Sequence, residues 1–178
     1  MTDTKILSKK TVYQSKYFQV NQVAIEREGK QFTKDIIERR SSVMILPLTE
    51  NNEIYILSQY RDALQKVILE LIAGNMDTIS SPLANAKREL QEEGGFIAKT
   101  WKQLATFHMS ANLVGELHVF VATDLEQAEK NPDEDEAIEV IKMPLQEALE
   151  KVEQGEIRVS SNVASLLLLD KLQKEGKI

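Results

Sequence analysis

The chain has 178 residues, 42% of them hydrophobic and 28% charged, with a formal net charge of −6. That is enough for one domain with a real core, with room for a small appendage. With no cysteine, disulfides, thiolate catalysis and cysteine-ligated zinc are excluded. No Lys/Arg-rich stretch offers a face for nucleic acid, and the best apolar run, "VASLLLLDKL", is broken by Asp170 and Lys171 before it could span a bilayer.

The first residues, "MTDTKILSKK", put acid before base with no apolar stretch behind them, unlike a secretory signal, and a cytoplasmic protein is expected. From there to Arg40 the sequence is rich in Val, Ile, Tyr, Phe and Thr and predicts extended structure, with a hairpin turn at "EREGKQ". "SVMILPLT" and "EIYILSQYR", separated by the polar turn "ENN", read as buried strands, and "VILELIAG" as another strand stopped by Gly74. Ser81 and Pro82 open a helix, since serine caps free N–H groups and proline suits the first helical position. Leu83, Ala86 and Leu90 form its buried stripe, and Gly94-Gly95 ends it. Two strands, "KQLATFHM" and "ELHVFVAT", then an acidic loop, "EQAEKNPDEDE", and a short strand, "AIEVIKM", follow. Helices over "LQEALEKVEQ" and "SSNVASLLLLDKLQKE" close the chain. Strands with three interspersed helices predict a mixed sheet flanked by helices. The histidines, His108 and His118, are too far apart for a helical metal pair and read as strand or loop residues.

The helix poses a question. Glu89, Glu92 and Glu93 are three and four residues apart and project from one side, offset from the apolar stripe. Like charges so close repel, so either water solvates them as an ordinary surface face or a cation sits among them. An acidic protein can act on phosphates when a divalent cation mediates the contact.

Gly74, Arg88-Glu89-Leu90, Glu92-Glu93 and Gly95-Phe96 resemble the Nudix box: G, five residues, E, seven residues, R-E-U-x-E-E-x-G-U, where U is a bulky apolar residue. Ser80 stands where that pattern has its first glutamate. The resemblance implies an α+β fold, the Nudix-type α/β/α sandwich with a mixed sheet, and hydrolysis of a nucleoside diphosphate linked to another group. It implies Mg²⁺, with Mn²⁺ as an alternative, held by Glu89, Glu93, Glu92 and the Ala73 carbonyl, while Arg88 orients the glutamates. Hard cations prefer such oxygen ligands and reverse the field that acids alone would turn against a pyrophosphate.

Outside the box the chain is similar to the ADP-ribose pyrophosphatase and nucleoside-diphosphate-sugar branch. "IERRSSVMILPL", "ILSQYR" and "LELIAG" carry that likeness and make Arg39 and Arg61 candidates for holding substrate phosphates. In that branch an N-terminal strand region, here 1–41 before a catalytic domain of 42–178, helps to form an intertwined homodimer. The branch places its general base on a loop well after the box, where Glu134 aligns best and Glu136 is the alternate. In "HMSANLVGE", Ser110 and Glu116 fit the branch's substrate loop, but Ala111 and Asn112 replace its proline and glycine. ADP-ribose or a similar sugar nucleotide is therefore the expected substrate, GDP-mannose or another non-adenine sugar nucleotide the alternative. A module that senses such a nucleotide without cleaving it is the reading from outside the enzymes, and Tyr60 or Phe107 are candidates to stack on the base.

Overall fold

A computed structural model describes residues 4–77, 79–131 and 138–178. Two compact units emerge: the described part of Met1–Ser41 with Phe107–Leu117, and the described part of Ser42–Thr106 with His118–Ile178.

In the first unit, β1 (Thr4–Gln14), β2 (Phe18–Arg27) and β3 (Lys30–Arg39) pair antiparallel in that order. The β2–β3 turn falls at the predicted place, with Glu28 and Gly29 both at positive φ (53° and 74°), the geometry a tight hairpin needs. β3 then pairs in parallel with the start of β9 (Leu113–Gln127), Ile37 opposite Leu113 and Glu38 opposite Val114. Lys9 Nζ donates to Glu38 Oε1 at 2.5 Å and Gln19 Nε2 to Glu38 Oε2 at 2.7 Å, tying all three strands together.

The second unit is built on β4 (Ser42–Pro47), buried along its whole length as its unbroken apolar sequence requires. Val43 and Ile45 on one face join Leu57, Ile72, Ala86, Leu90, Phe96, Phe120 and Ala122 in a core cluster. Met44, on the other face, accepts a hydrogen bond at its sulfur from Ser165. That residue lies in α3 (Ser160–Lys174), whereas Ala86 belongs to α1 (Pro82–Glu89), so a helix packs on each face of the strand. β4 lies between β9 and β7 (Ile72–Asn75), with β8 (Phe96–Ser110) also paired to β9. A second sheet runs β10 (Ile138–Pro144), β5 (Glu53–Arg61), β6 (Lys66–Glu70), and α2 (Leu145–Glu153) follows β10 directly. His108 and His118 both fall in strands, β8 and β9. No helix among the described residues is long and apolar enough to cross a membrane.

Two local expectations need correction. "VILELIAG" is two strands: Leu71 interrupts it, with β6 in the three-stranded sheet and β7 on β4. The helix is α-helical only to Glu89, and Leu90–Gly94 form a wider π-helical turn before Gly95 takes the left-handed conformation at φ 74°. Periodicity cannot see either feature, because a strand that changes sheets and a helix that widens by one residue keep their apolar sides. π-turns of this kind concentrate at functional sites.

Hydrogen bonds from Lys9 and then Gln19 hold the Glu38 carboxyl below the usual glutamate range. A carboxylate whose pKa is lower in the folded than in the unfolded chain stabilises above its unfolded pKa, and that contribution disappears as pH falls through the folded value. Urea unfolding of wild type and Glu38→Gln should therefore differ at pH 7, wild type being the more stable, and converge in acid. An equal gap at both pH values would contradict the assigned role.

Candidate active site

α1 starts as the sequence requires: the Ser81 hydroxyl accepts the Ala84 N–H at 3.2 Å and Pro82 takes the first helical position. Ala86 and Leu90 are fully buried and cluster with Ile72 of β7, which brings the end of the helix against that strand. There Glu89 and Glu93 are nearly buried, at 7% and 6% exposure. A carboxylate is rarely withdrawn from water without a partner, and each of these has one in the structure.

Gly74 lies directly against the Glu89 carboxyl. A β-carbon on residue 74 would stand 2.0 Å from the Glu89 carboxyl carbon and 2.1 Å from Oε1, so only glycine lets the strand backbone come so near. One residue earlier, the Ala73 N–H donates to Glu93 Oε2 at 3.4 Å. Arg88 forks between the other oxygens, with Nη2 2.5 Å from Glu89 Oε1 and Nη1 2.5 Å from Glu92 Oε2. Partial burial lowers the guanidinium's affinity for its proton, but the charges of Glu89 and Glu92 outweigh that and raise its pKa. Ala73, Arg88, Glu89, Glu92 and Glu93 are thus brought together. Among the described residues no three acid or imidazole groups already converge as a metal cage. The donor chemistry nevertheless suits a hard divalent cation: carboxylate oxygens beside a strand backbone, with no sulfur and no imidazole in the set.

The loop before α1 shows how the chain manages Ser80. Asp77 Oδ1 accepts the Ile79 and Ser80 N–H groups at 2.8 and 2.6 Å. Asn85, itself 1% exposed, accepts the Asp77 N–H at 3.1 Å and donates to the Ser80 and Ser81 carbonyls at 3.4 and 3.0 Å. The N–H groups of Ser80 and then Ile79 hold the Asp77 carboxyl below its usual pKa, and the charge of Arg88 adds to the effect. The loop is therefore clasped from both ends without a glutamate at position 80.

After β9, the Ala128 N–H donates to the Gly95 carbonyl and the Asn131 N–H to that of Glu92, at 2.9 and 3.2 Å. These bonds tie the chain just ahead of residues 132–137 to the π-turn. Glu134 and Glu136, the two candidates for the base, lie outside the described residues.

Arg61, at the end of β5, donates from Nε to Glu70 Oε1 at 2.6 Å. Glu70 is 7% exposed and was not singled out from the sequence, although one acid inside the apolar "VILELIAG" is itself a signal of a paired buried charge. Arg39, Ser110 and Glu116 belong to the first unit. Arg39 ends β3; its carbonyl would stand 3.0 Å from a β-carbon on Gly115, which has φ 146°. Ser110 Oγ donates to Asn112 Oδ1 at 2.8 Å, and the Glu116 N–H donates to Ser41 Oγ at 3.1 Å. The Asn112 carbonyl accepts the Ile37 N–H at 3.0 Å, so the turn carrying Ala111 and Asn112 is fixed to β3. Tyr60 is half exposed and Phe107 partly buried.

The chain is similar to known proteins along most of its length. The chain matches the NUDIX domain over residues 38–163. It is 31% identical to an ADP-ribose pyrophosphatase of Bacillus subtilis (strain 168), covering 87% of this chain and 86% of that one. It is 30% identical to a methanol dehydrogenase activator of Bacillus methanolicus, over 93% and 94% of the two chains. A crystal structure of an ADP compounds hydrolase superposes with a TM-score of 0.86 at 26% identity, covering 98% of this chain and 97% of the other. With its box acids gathered at the end of α1 against Ala73 and Gly74, the chain belongs to the Nudix family of hydrolases.

Proposed function

We propose that the protein hydrolyses the pyrophosphate bond of a nucleoside diphosphate sugar, ADP-ribose or a close analogue, to a nucleoside monophosphate and a sugar phosphate. The observation that carries this reading is the pair of nearly buried carboxylates, Glu89 and Glu93, set against the Ala73–Gly74 backbone. Likeness along most of the chain to an ADP-ribose pyrophosphatase and an ADP compounds hydrolase supports the substrate class.

In this reading Glu89, Glu92 and Glu93, with the Ala73 carbonyl, hold Mg²⁺ or Mn²⁺. When bound, the cation would neutralise the phosphates and lower the pKa of a coordinated water. Arg88 keeps Glu89 and Glu92 in place through its two terminal nitrogens. Arg61, oriented by Glu70, and Arg39 meet phosphate oxygens, for which a guanidinium offers paired donors and a permanent charge. Glu134, or Glu136 in its stead, takes a proton from the attacking water, which adds to one phosphorus while the bridging oxygen leaves with the other phosphate. Ser110 and Glu116 are proposed as substrate contacts from the branch resemblance alone, and the Ala111–Asn112 turn is what favours testing guanine as well as adenine sugar nucleotides. Residues 1–41 are proposed to form the dimerisation element. In support, every residue of β1 is exposed, and Ile6, Val12 and Tyr17 are 71%, 51% and 65% exposed, an apolar display of the kind that marks association surfaces.

Four outcomes test this. With a panel including ADP-ribose and GDP-mannose, wild type should release phosphate-bearing products only with a divalent cation. Glu93→Gln should lose more than about 100-fold in turnover, the upper range reached even by changes behind a ligand, while keeping its circular dichroism. Turnover close to wild type in that variant would remove Glu93 from the site. Gly74→Ala should fold, because the atom in its way is the end of a flexible side chain, but it should bind Mn²⁺ about 10- to 100-fold more weakly as the Glu89 carboxyl is pushed aside. Calorimetric titration measures it, and unchanged affinity would rule out that dependence. Light scattering should report a dimer at micromolar concentration, and a monomer there would contradict the role given to β1.

A further inference from the structure

β6 ends at Glu70 and β7 begins at Ile72, so Leu71 is the peptide at which the chain leaves one sheet for another. On one side Glu70 sits opposite Leu57 of β5; on the other Ile72 sits opposite Ile45 of β4. At the crossing the Leu71 N–H donates to a side chain, Asn162 Oδ1 of α3, at 2.6 Å. Both residues are buried, at 2% and 1% exposure. A backbone donor in such a place has to be bonded, and removing its acceptor leaves the whole desolvation cost of the group.

We propose that Asn162 is a positioning residue for both halves of the active site. Its amide oxygen fixes the orientation of the crossing peptide, and the strand leaves that peptide in two directions. Upstream, Glu70 reaches Arg61 at 2.6 Å. Downstream, Ala73 N–H meets Glu93, and Gly74 lies against the Glu89 carboxyl. Only Leu71 and Ile72 separate Glu70 from Ala73, and a strand advances about 3.3 Å per residue. There is little slack in so short a span, so a turned peptide at Leu71 displaces the arginine's partner and the carboxylates' backbone neighbours together. Asn162 touches neither substrate nor cation; it acts through Leu71. The inference rests on the roles proposed above for Arg61, Glu89 and Glu93.

Three variants separate positioning from plain stability. Asn162→Leu is close in size but has no acceptor. Asn162→Asp keeps an oxygen acceptor in place. Ser165→Ala, one turn further along α3, removes the buried bond to Met44 without touching Leu71. Each is titrated with Mn²⁺ in the absence of substrate, assayed for KM and kcat with ADP-ribose, and followed by amide hydrogen exchange at Leu71. Asn162→Leu should weaken Mn²⁺ binding about tenfold, raise KM and speed exchange at Leu71, while Asn162→Asp and Ser165→Ala bind Mn²⁺ like wild type. If Asn162→Leu fails to fold, Asn162→Ser, too short to reach the amide, should show the same loss. Wild-type Mn²⁺ affinity in the folded acceptor-less variant overturns the inference, as does an equal loss in Ser165→Ala. A wild-type protein that itself binds no Mn²⁺ would bring down the metal reading, and this inference with it. That result is distinct from a wild type that binds while its Asn162 variants match it.

Discussion

A methyl group on residue 74 would stand 2.0 Å from the Glu89 carboxyl carbon, so the bare backbone of Gly74 is what leaves room for that carboxylate as α1 approaches β7. The approach is what allows the apolar side of the helix, Ala86 and Leu90, to be fully buried beside Val43, Ile45 and Ile72. It also takes two carboxylates out of water, which is unfavourable unless they are bonded. Arg88 and the Ala73 N–H supply part of that bonding. The same close packing therefore serves the core and gathers negative charge in one place. Like charges a few ångströms apart at a protein surface repel by several kcal/mol, so such a cluster is far better suited to a cation than to solvent.

The parts of this arrangement that depend on chain-local chemistry were readable in advance. Ser81-Pro82 capped the helix, Glu28-Gly29 turned the hairpin, and the unbroken "SVMILP" announced a strand buried on both faces. The box residues were readable because their spacing is fixed by one strand, one loop and one helix. What could not be read depends on partners distant in sequence. Asn162 in "SSNVAS" has the composition of a helix start, and nothing nearby says that its oxygen serves Leu71. The break at Leu71 is equally silent, since apolar residues suit either sheet. Glu70 is the intermediate case, conspicuous as an acid in an apolar run but without a visible partner until the hairpin folds Arg61 back onto it.

Ser80 illustrates how a departure from a motif can be absorbed locally. Its N–H is taken by Asp77 and its carbonyl by Asn85. Asn85 also receives the Asp77 N–H, so two short polar side chains brace the loop that leads into α1. Both are suited to the task, since Asx side chains readily bond nearby backbone in turns. Asp77 is also an acid on the same loop, its pKa held down by the Ser80 and Ile79 N–H groups with a smaller contribution from the charge of Arg88. The chain keeps a negative charge on this loop, three residues earlier than the motif places it.

The strand that crosses at Leu71 shows why these groups hold their geometry without a rigid loop. Arg61 and Glu70 sit on paired strands of one sheet, and Ala73 and Gly74 on a strand of another. Groups carried on regular elements are held more closely than groups on loops. A strand shared between two sheets, however, is only as fixed as the peptide where it changes partners. Neither ladder can bond that peptide from within, so its acceptor has to come from a different layer. α3 packs on the far side of β4 from α1, through Ser165 and Met44, and from there it presents Asn162 to the crossing. α3, which contributes no acid to the cluster, is thus the helix that fixes the strand on which the cluster leans.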